Sequence, residues 1–167
     1  MRRLGALAIV GALLGLSPAE AAQLVTWNDS YPPGTIVISQ SAKRLYLVLD
    51  ATKAIAYPVA VAKPGKEWLG PARIEGKFVE PAWSPPESVR IDHPELPDVI
   101  PGGAPNNPMG LRAITLDRDE IAIHGTSLSM RASVGHAASY GCIRMYNEDV
   151  VDLFERVRVG EPVVMVR

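Results

Sequence analysis

Short apolar runs separated by polar turns dominate the hydrophobic pattern of the first half of the chain. Residues 34–39 (GTIVIS) and 44–50 (RLYLVLD) are β-branched and apolar, and the polar residues 40–43 lie between them. Two such runs joined by a short turn predict a β-hairpin. Residues 54–62 predict a third strand. Pro58 inside it favours an edge position or a bulge, because proline cannot donate to a sheet.

Further apolar runs predict three more strands, with a long proline-rich region before the second of them. These strands are expected over residues 72–78, 120–124 and 162–166. Residues 81–108 contain eight prolines, together with Trp83 and His93. Because proline fixes φ and lacks a backbone donor, we predict a stiff, ordered loop without strand or helix. Loops of this length in compact domains are usually functional or disordered.

One helix is predicted near the end of the chain. Asn147 is a suitable N-cap, acidic residues follow it, and Gly160 is a suitable stop. The apolar positions recur at helical spacing and include Val150, Val151, Phe154 and Val157. The pattern as a whole therefore predicts a mainly β, mixed α+β fold with one helix in the C-terminal region.

The N-terminal residues have the pattern of a secretory signal peptide. Arg2 and Arg3 precede an uncharged apolar run over residues 4–16, and the small-x-small sequence 19–21 follows. We therefore expect export and cleavage after Ala21. The run is shorter than the ~20 residues of a typical membrane span. We expect no stable span, and an uncleaved anchor is the alternative.

The expected organisation is a signal peptide over residues 1–21, a lead-in over 22–33 and one domain over 34–167. The chain has 17 basic and 18 acidic residues, a net charge of −1. It contains no block of Lys or Arg, so nothing predicts a nucleic-acid partner or a charged membrane surface.

Cys142 is the only cysteine of the chain. In an exported protein a lone cysteine forms no internal disulfide, so it is either an inert buried side chain or a working thiol. The count leaves both readings open. His124 ends a predicted strand, and the loop that follows is long enough to bring it back to the cysteine. A nearby imidazolium would favour the thiolate and deliver a proton to a leaving amine.

The residues around this pair could complete an acyl-transfer site. A backbone carbonyl at Gly125 could orient His124. The amides of Tyr140, Gly141 and Cys142 could point at a developing oxyanion, where one donor contributes about 3 kcal/mol.

These motifs resemble the L,D-transpeptidase catalytic domain, the YkuD family. The resemblance rests on IHGT, SYGCIRM and GEPVVM, and extends upstream to IVISQSAKRLYLVLD, EPAWSPPE and PGGAPNNPMG. It covers residues 34–167. It implies a β-sandwich-like domain of mixed sheets, without a metal or cofactor, located in the periplasm or elsewhere in the cell envelope.

The resemblance also implies a reaction. Cys142 matches the nucleophile, His124 the general base and acid, and the Gly125 carbonyl its orienting group. In the family the thiolate attacks a peptidoglycan stem tetrapeptide, D-alanine leaves and a thioester forms. An amine of another stem peptide or of an envelope protein then accepts the acyl group. Hydrolysis of the same intermediate, or a catalytically silent wall-binding module, are the alternatives.

Two positions depart from the usual family pattern. Tyr140 stands where histidine is commonest, and a phenol cannot titrate near neutral pH. Its backbone amide would serve an oxyanion equally well. Residues 70–73 (GPAR) replace a common Thr-Pro-x-Gly and keep only the proline.

The remaining candidates have open alternatives. Arg144 either binds a substrate carboxylate, braces the catalytic loop or is a surface charge. Ser139 matches a motif position that we assign to substrate binding. Trp83 is either a substrate platform or core packing. His136 is a possible replacement for the missing histidine or a solvated loop residue, and His93 is expected at the surface.

Overall fold

The computed structural model describes residues 22–167, and the predicted signal peptide lies outside them. The strands in chain order are β1 (Gln23–Thr26), β2 (Ile36–Ser39), β3 (Arg44–Val48), β4 (Lys53–Pro58), β5 (Val61–Ala62), β6 (Gly70–Val79), β7 (Arg112–Leu116), β8 (Ala122–His124), β9 (Ala137–Ser139), β10 (Ile143–Arg144) and β11 (Pro162–Val166). The helices are α1 (Glu87–Asp92), a 3-10 helix (Leu128–Ser133) and α2 (Asn147–Arg156).

Nine strands form a mixed sheet in the order β1-β4-β3-β2-β11-β6-β7-β8-β10. The β11–β2 and β10–β8 pairs are parallel, and the others are antiparallel. The ten-residue β6 pairs first with β11 and then with β7, and its register shifts between Ile74 and Gly76. A bulge of this kind bends and twists a strand. β6 therefore connects two halves of the sheet.

One hydrophobic core joins both halves. Its fully buried side chains come from β2 and β3 on one side and from β6, β7, β8 and β10 on the other, and include Ile36, Leu45, Ile74, Ile114, Ile123 and Ile143. Burial of such aliphatic side chains is the main stabilising contribution to a domain of this size. The expected mainly β, mixed fold is confirmed.

The predicted lead-in belongs to this domain. Its strand β1 pairs antiparallel with β4. Trp27, 7% exposed, packs with Val37, Val48 and Ala54 in a second apolar cluster. The exposed, weakly patterned sequence of β1 gives no period-two signal, which is why the strand was not predicted.

The sequence patterns misplaced several strands. Pro58 predicted an edge position or a bulge, and the edge position is wrong because β4 lies between β1 and β3. A register irregularity follows Pro58, between Val61 and Ala62. Pro58 is the last residue of β4, and Val61–Ala62 leaves the large sheet to pair with β9. The short strands β7, β9 and β10 carry little periodicity and were not predicted.

Residues 81–108, which we call the cover segment, contain the helix α1, so the prediction of a segment without helix is wrong. Pro86 directly precedes the first helical residue. Proline is compatible with the start of a helix, where its missing N–H group has no intrahelical partner to lose. Glu87 lies in the first turn and only Val89 of the six residues is buried.

The C-terminal helix α2 is confirmed, but its predicted cap is wrong. Tyr146 is the N-cap and Asn147 is the first helical residue. Val150 and Leu153 pack into the core. Among residues 22–167, no helix is both long and apolar enough to cross a membrane.

Candidate active site

Strands β8 and β10 form the floor of a cavity of about 400 Å³. Ile143 pairs with Ile123 and Arg144 pairs with His124. Side chains alternate along a strand, so the two isoleucines face the core while His124 and Arg144 face the cavity. Cys142 lies two residues before Arg144 and therefore shares that face. The chain thus brings the predicted thiol, imidazole and guanidinium onto one surface, which we call the floor.

The imidazole of His124 is held by its own backbone neighbour. Nδ1 lies 2.8 Å from the carbonyl oxygen of Gly125. A carbonyl can only accept, so Nδ1 carries the proton and Nε2 is left as the acceptor. Burial and, next, the charge of Arg144 lower the pKa of His124 to about 3, although the Gly125 bond acts in the opposite direction. At neutral pH this lowered pKa leaves the resting His124 neutral.

The Cys142 thiol is neutral as well. Burial raises its pKa, while a hydrogen bond with the Ala122 backbone and, next, the charge of Arg144 oppose this effect. Its sulfur donates to the carbonyl of Glu120 at 3.3 Å. The resting site therefore holds a thiol and a neutral imidazole instead of an ion pair.

Close packing explains the glycine after the histidine. A Cβ at Gly125 would lie 2.1 Å from Oδ1 of Asn147. That oxygen accepts from the amides of Leu111 and Thr126, at 3.1 Å each, and Nδ2 donates to the Thr126 carbonyl at 2.9 Å. Asn147 thus fixes the backbone that carries the Gly125 carbonyl. The sequence had suggested only a helix cap at this position.

The loop before the thiol is braced from within. The Ser139 hydroxyl accepts from the Gly141 amide at 3.2 Å and donates to the Cys142 carbonyl at 2.5 Å. Ser139 is 2% exposed. Ser139 therefore supports the loop, and because it also lines the cavity its substrate contact stays a prediction. The Gly141 amide, predicted as an oxyanion donor, is already paired with the Ser139 hydroxyl. Gly141 has a φ of +135°, which is unfavourable for other residues.

Two backbone donors of this loop stay available. Within residues 22–167, the amides of Tyr140 and Cys142 donate to no protein acceptor. A buried N–H group without a partner is uncommon in proteins. These two amides therefore remain the candidates for oxyanion donors.

Arg144 is buried, so its alternative as a surface charge is wrong. It is 7% exposed, and Nη1 donates to the Ser133 hydroxyl at 2.7 Å. Its Nε has no hydrogen-bond partner in the described part of the chain. Arg144 therefore braces the end of the 3-10 helix and places a positive charge beside Cys142.

The cover segment supplies about half of the cavity wall. Trp83 and His93 both line it, together with Pro86, Val89 and Leu96. His93, expected simply as a surface residue, is exposed on the cavity side. His136 is exposed and does not line the cavity, so it does not replace the missing histidine there.

Three residues of the site carried no signal in the sequence. The Trp68 indole donates to the Gly141 carbonyl at 3.0 Å and so holds the thiol loop. Lys63 lies over the Tyr140 ring, and Asp92 accepts from the Tyr140 hydroxyl. None of them lies in a motif or at a periodic position, since their contacts come from distant segments.

Comparison with known families identifies the domain. The model of the L,D-transpeptidase catalytic domain, YkuD, matches residues 33–165. The chain belongs to this family. The probable L,D-transpeptidase YbiS of Escherichia coli (strain K12) is 37% identical over 134 residues, 75% of this chain and 42% of that protein. The chain spans about half the length of the curated relatives YbiS and ErfK/SrfK.

Solved structures agree on the fold. An L,D-transpeptidase from Mycobacterium tuberculosis H37Rv has a TM-score of 0.62 at 16% identity, covering 81% of this chain and 58% of that one. A Brucella melitensis protein described as a probable carnitine operon oxidoreductase is 40% identical, with a TM-score of 0.59, over 90% of this chain and 96% of that one. The oxidoreductase description belongs to that protein and differs from the family that the YkuD match assigns here.

Proposed function

We propose that this chain is a cysteine L,D-transpeptidase acting on peptidoglycan stem tetrapeptides. The observation that carries the proposal is the shared floor of Cys142, His124 and Arg144 in a chain of the YkuD family. The thiol loop has two amides without a protein acceptor among the described residues, those of Tyr140 and Cys142. The cover segment contributes mainly apolar side chains to the cavity. This arrangement suits an extended peptide whose carbonyl must be held against a thiol.

The neutral resting pair defines the first step. The thiol turns from the Glu120 carbonyl, and Nε2 of His124 takes its proton as sulfur attacks the carbonyl carbon. The hydrogen bond that Nδ1–H donates to the Gly125 carbonyl supports the imidazolium formed, because this bond raises the pKa of His124. The positive charge of Arg144 supports the thiolate.

The second half of the reaction reverses the proton transfer. The amides of Tyr140 and Cys142 stabilise the oxyanion, the C–N bond to D-alanine breaks, and the proton on His124 passes to the leaving amine. A thioester on Cys142 remains. An acceptor amine then attacks it, gives its proton to His124 and releases the thiol.

Product analysis tests this function. Purified residues 22–167 would be incubated with a stem tetrapeptide as donor and a second stem peptide as amine acceptor, and the products weighed by mass spectrometry. We expect D-alanine and a cross-linked product, both absent with Cys142→Ala. Shortened stems without cross-links would instead indicate hydrolysis, and intact donor would contradict the proposal.

The proposed place of action is the periplasm or cell envelope. The signal-peptide pattern of residues 1–21 and the nature of the substrate support it. An envelope protein amine is a further possible acceptor on the same chemistry. Fractionation of cells expressing the full chain tests the location, and recovery in the cytoplasm at full length would contradict it.

A further inference from the structure

The Tyr140 side chain contacts the middle of the cover segment. Its hydroxyl donates to Oδ2 of Asp92, the last residue of α1. Lys63 completes the contact: its Nζ lies 3.2 Å from the same oxygen and 3.6 Å from the centre of the Tyr140 ring. The three side chains form what we call the clasp.

One side of the clasp is fixed to the sheet. Lys63 follows β5, and its amide donates to the Ser139 carbonyl at 2.9 Å, directly beside Tyr140. The β5–β9 pair thus places Lys63 and Tyr140 together at the thiol loop. A cation over an aromatic face and a charge-assisted hydrogen bond are both stabilising contacts.

Apart from the clasp and the packing of buried residues such as Val89, the other side, the middle of the cover segment, makes no hydrogen bond to the rest of the described domain. Among the described residues between Trp83 and Asn107, only Asp92 forms a hydrogen bond with a residue outside the cover segment. The remaining bonds are internal to the segment, such as the backbone pair of Trp83 with Ile100 and the pair of Arg90 with Asp98. The position of α1 over the cavity therefore depends on the clasp.

We propose that Tyr140 is a positioning residue, which holds the cover segment over the donor peptide through Asp92 and Lys63. This inference rests on the proposed function for its kinetic consequence. It also explains why tyrosine replaces the histidine that is commonest at this position of the family motif. A histidine side chain is shorter than tyrosine and would not reach Asp92 while the cover segment keeps its present position. The hydroxyl acts on binding, while the backbone amide of the same residue acts on the oxyanion.

The kinetic test separates binding from chemistry. Tyr140→Phe and Tyr140→His should each raise the KM for the donor tetrapeptide about fivefold, the effect of one lost hydrogen bond of ordinary strength. Asp92→Ala removes the acceptor for both Tyr140 and Lys63 and should raise this KM at least as much. We expect kcat to change less than about twofold, since the floor and the amides are kept. Tyr46→Phe is the matched control, because the Tyr46 hydroxyl makes no hydrogen bond among residues 22–167.

The double variant tests whether both residues act in one contact. Tyr140→Phe with Asp92→Ala should have the same KM as Asp92→Ala alone, because Asp92→Ala already removes the acceptor of the Tyr140 hydroxyl. Additive effects would overturn the proposal. A fall in kcat at unchanged KM would also overturn it, since the phenol would then take part in the chemistry.

Hydrogen exchange tests the clasp without any turnover. In the substrate-free protein, amides of residues 89–93 should exchange several-fold faster in Tyr140→Phe and Asp92→Ala than in wild type or Tyr46→Phe. Unchanged exchange would overturn the proposal even in an active enzyme. Faster exchange in a chain that does not process stem peptides would support the clasp and contradict only the proposed function.

Discussion

The floor and the cover segment enclose the same cavity but are held in place in different ways. The floor consists of paired strands whose reverse faces, Ile123 and Ile143, are fully buried. The cover segment has mostly exposed side chains and a six-residue helix with one buried residue. Each floor position is fixed by several contacts, whereas the middle of the cover is fixed by the clasp.

This difference assigns separate tasks to the two regions. Acyl transfer needs the thiol, the imidazole and the oxyanion donors within fractions of an ångström, which a buried sheet provides. Substrate entry and product release need a wall that can open, and few contacts to the rest of the domain permit that. Substitutions in the floor should therefore affect folding and chemistry, and substitutions in the cover should affect binding.

The largest effect should follow from adding one methyl group beneath the floor. Gly125→Ala places a Cβ 2.1 Å from the Asn147 amide oxygen, so the backbone after His124 must move. We expect a loss of about 3 kcal/mol in the free energy of unfolding and loss of activity. Gly135→Ala is the control, because its positive φ adds strain where no atom lies within 4 Å of the new Cβ. Equal denaturant midpoints for both variants would contradict this account.

A smaller effect should follow from removing the hydrogen bonds that join the two ends of the cover segment. Asn107 is 2% exposed, and its Nδ2 donates to the carbonyls of Pro81 and Pro101 at 2.9 Å each. Asn107→Ala should cost about 2 kcal/mol of stability. It should also raise the KM for the donor more than it lowers kcat. A fall in kcat alone would show that the cover acts on the floor.

The free energy of unfolding should depend on pH through Asp149 of α2, the helix that packs against β8 of the floor. Burial and the charge of Glu148 raise the pKa of Asp149, on α2, from 3.8 to about 6. Below the ordinary pKa this acid is neutral in both folded and unfolded chains. As pH rises from 3.8 to about 6, the carboxyl ionises in the unfolded chain while the folded chain still holds its proton, so the folded state loses stability over this interval.

Asp149→Asn should remove this dependence. The stability of the variant relative to wild type should increase by about 2 kcal/mol between pH ~4 and ~7. Comparing the change between pH values cancels any constant cost of the substitution. Thermal unfolding at each pH measures this difference in stability. Asp29→Asn is the control, because the Asp29 side chain is exposed. A constant difference would mean that Asp149 ionises freely in the folded chain.

The smallest effect should come from the surface of the cover. Asp98 pairs with Arg90 at 3.1 Å, but its side chain is 94% exposed. Asp98→Ala should change stability by less than about 0.5 kcal/mol and leave KM unchanged. An increase in KM as large as that of Asp92→Ala would show that the clasp is not the principal attachment of the cover.

Local sequence predicted the floor better than the cover. The hairpin, the strand ending at His124, the helix α2 and the motif around Cys142 all have strong local signals. The strand β10 has only two residues and forms only because the β8 edge is beside it, so no local pattern could reveal it. The same holds for the His124 protonation state, which depends on burial and on Arg144.

The roles of polar side chains were the least predictable part. Asn147 bonds to groups from distant segments, and spacing alone suggested a helix cap. Ser139 and the Gly141 amide bond to each other within the thiol loop, where spacing alone suggested a substrate contact and an oxyanion donor. Tyr140 was recognised as a departure from the family pattern. Its partner Asp92 lies 48 residues away in a proline-rich segment, where no periodicity applies.

Intact-protein mass spectrometry tests the central claim, acylation of Cys142, most directly. The purified domain would be incubated with a carbapenem, an acylating inhibitor expected to react with the nucleophile of this family. We predict a single adduct that maps to Cys142, absent in Cys142→Ala and much slower to form in His124→Ala. A wild-type protein that stays unmodified, or an adduct that persists in Cys142→Ala, would contradict the account.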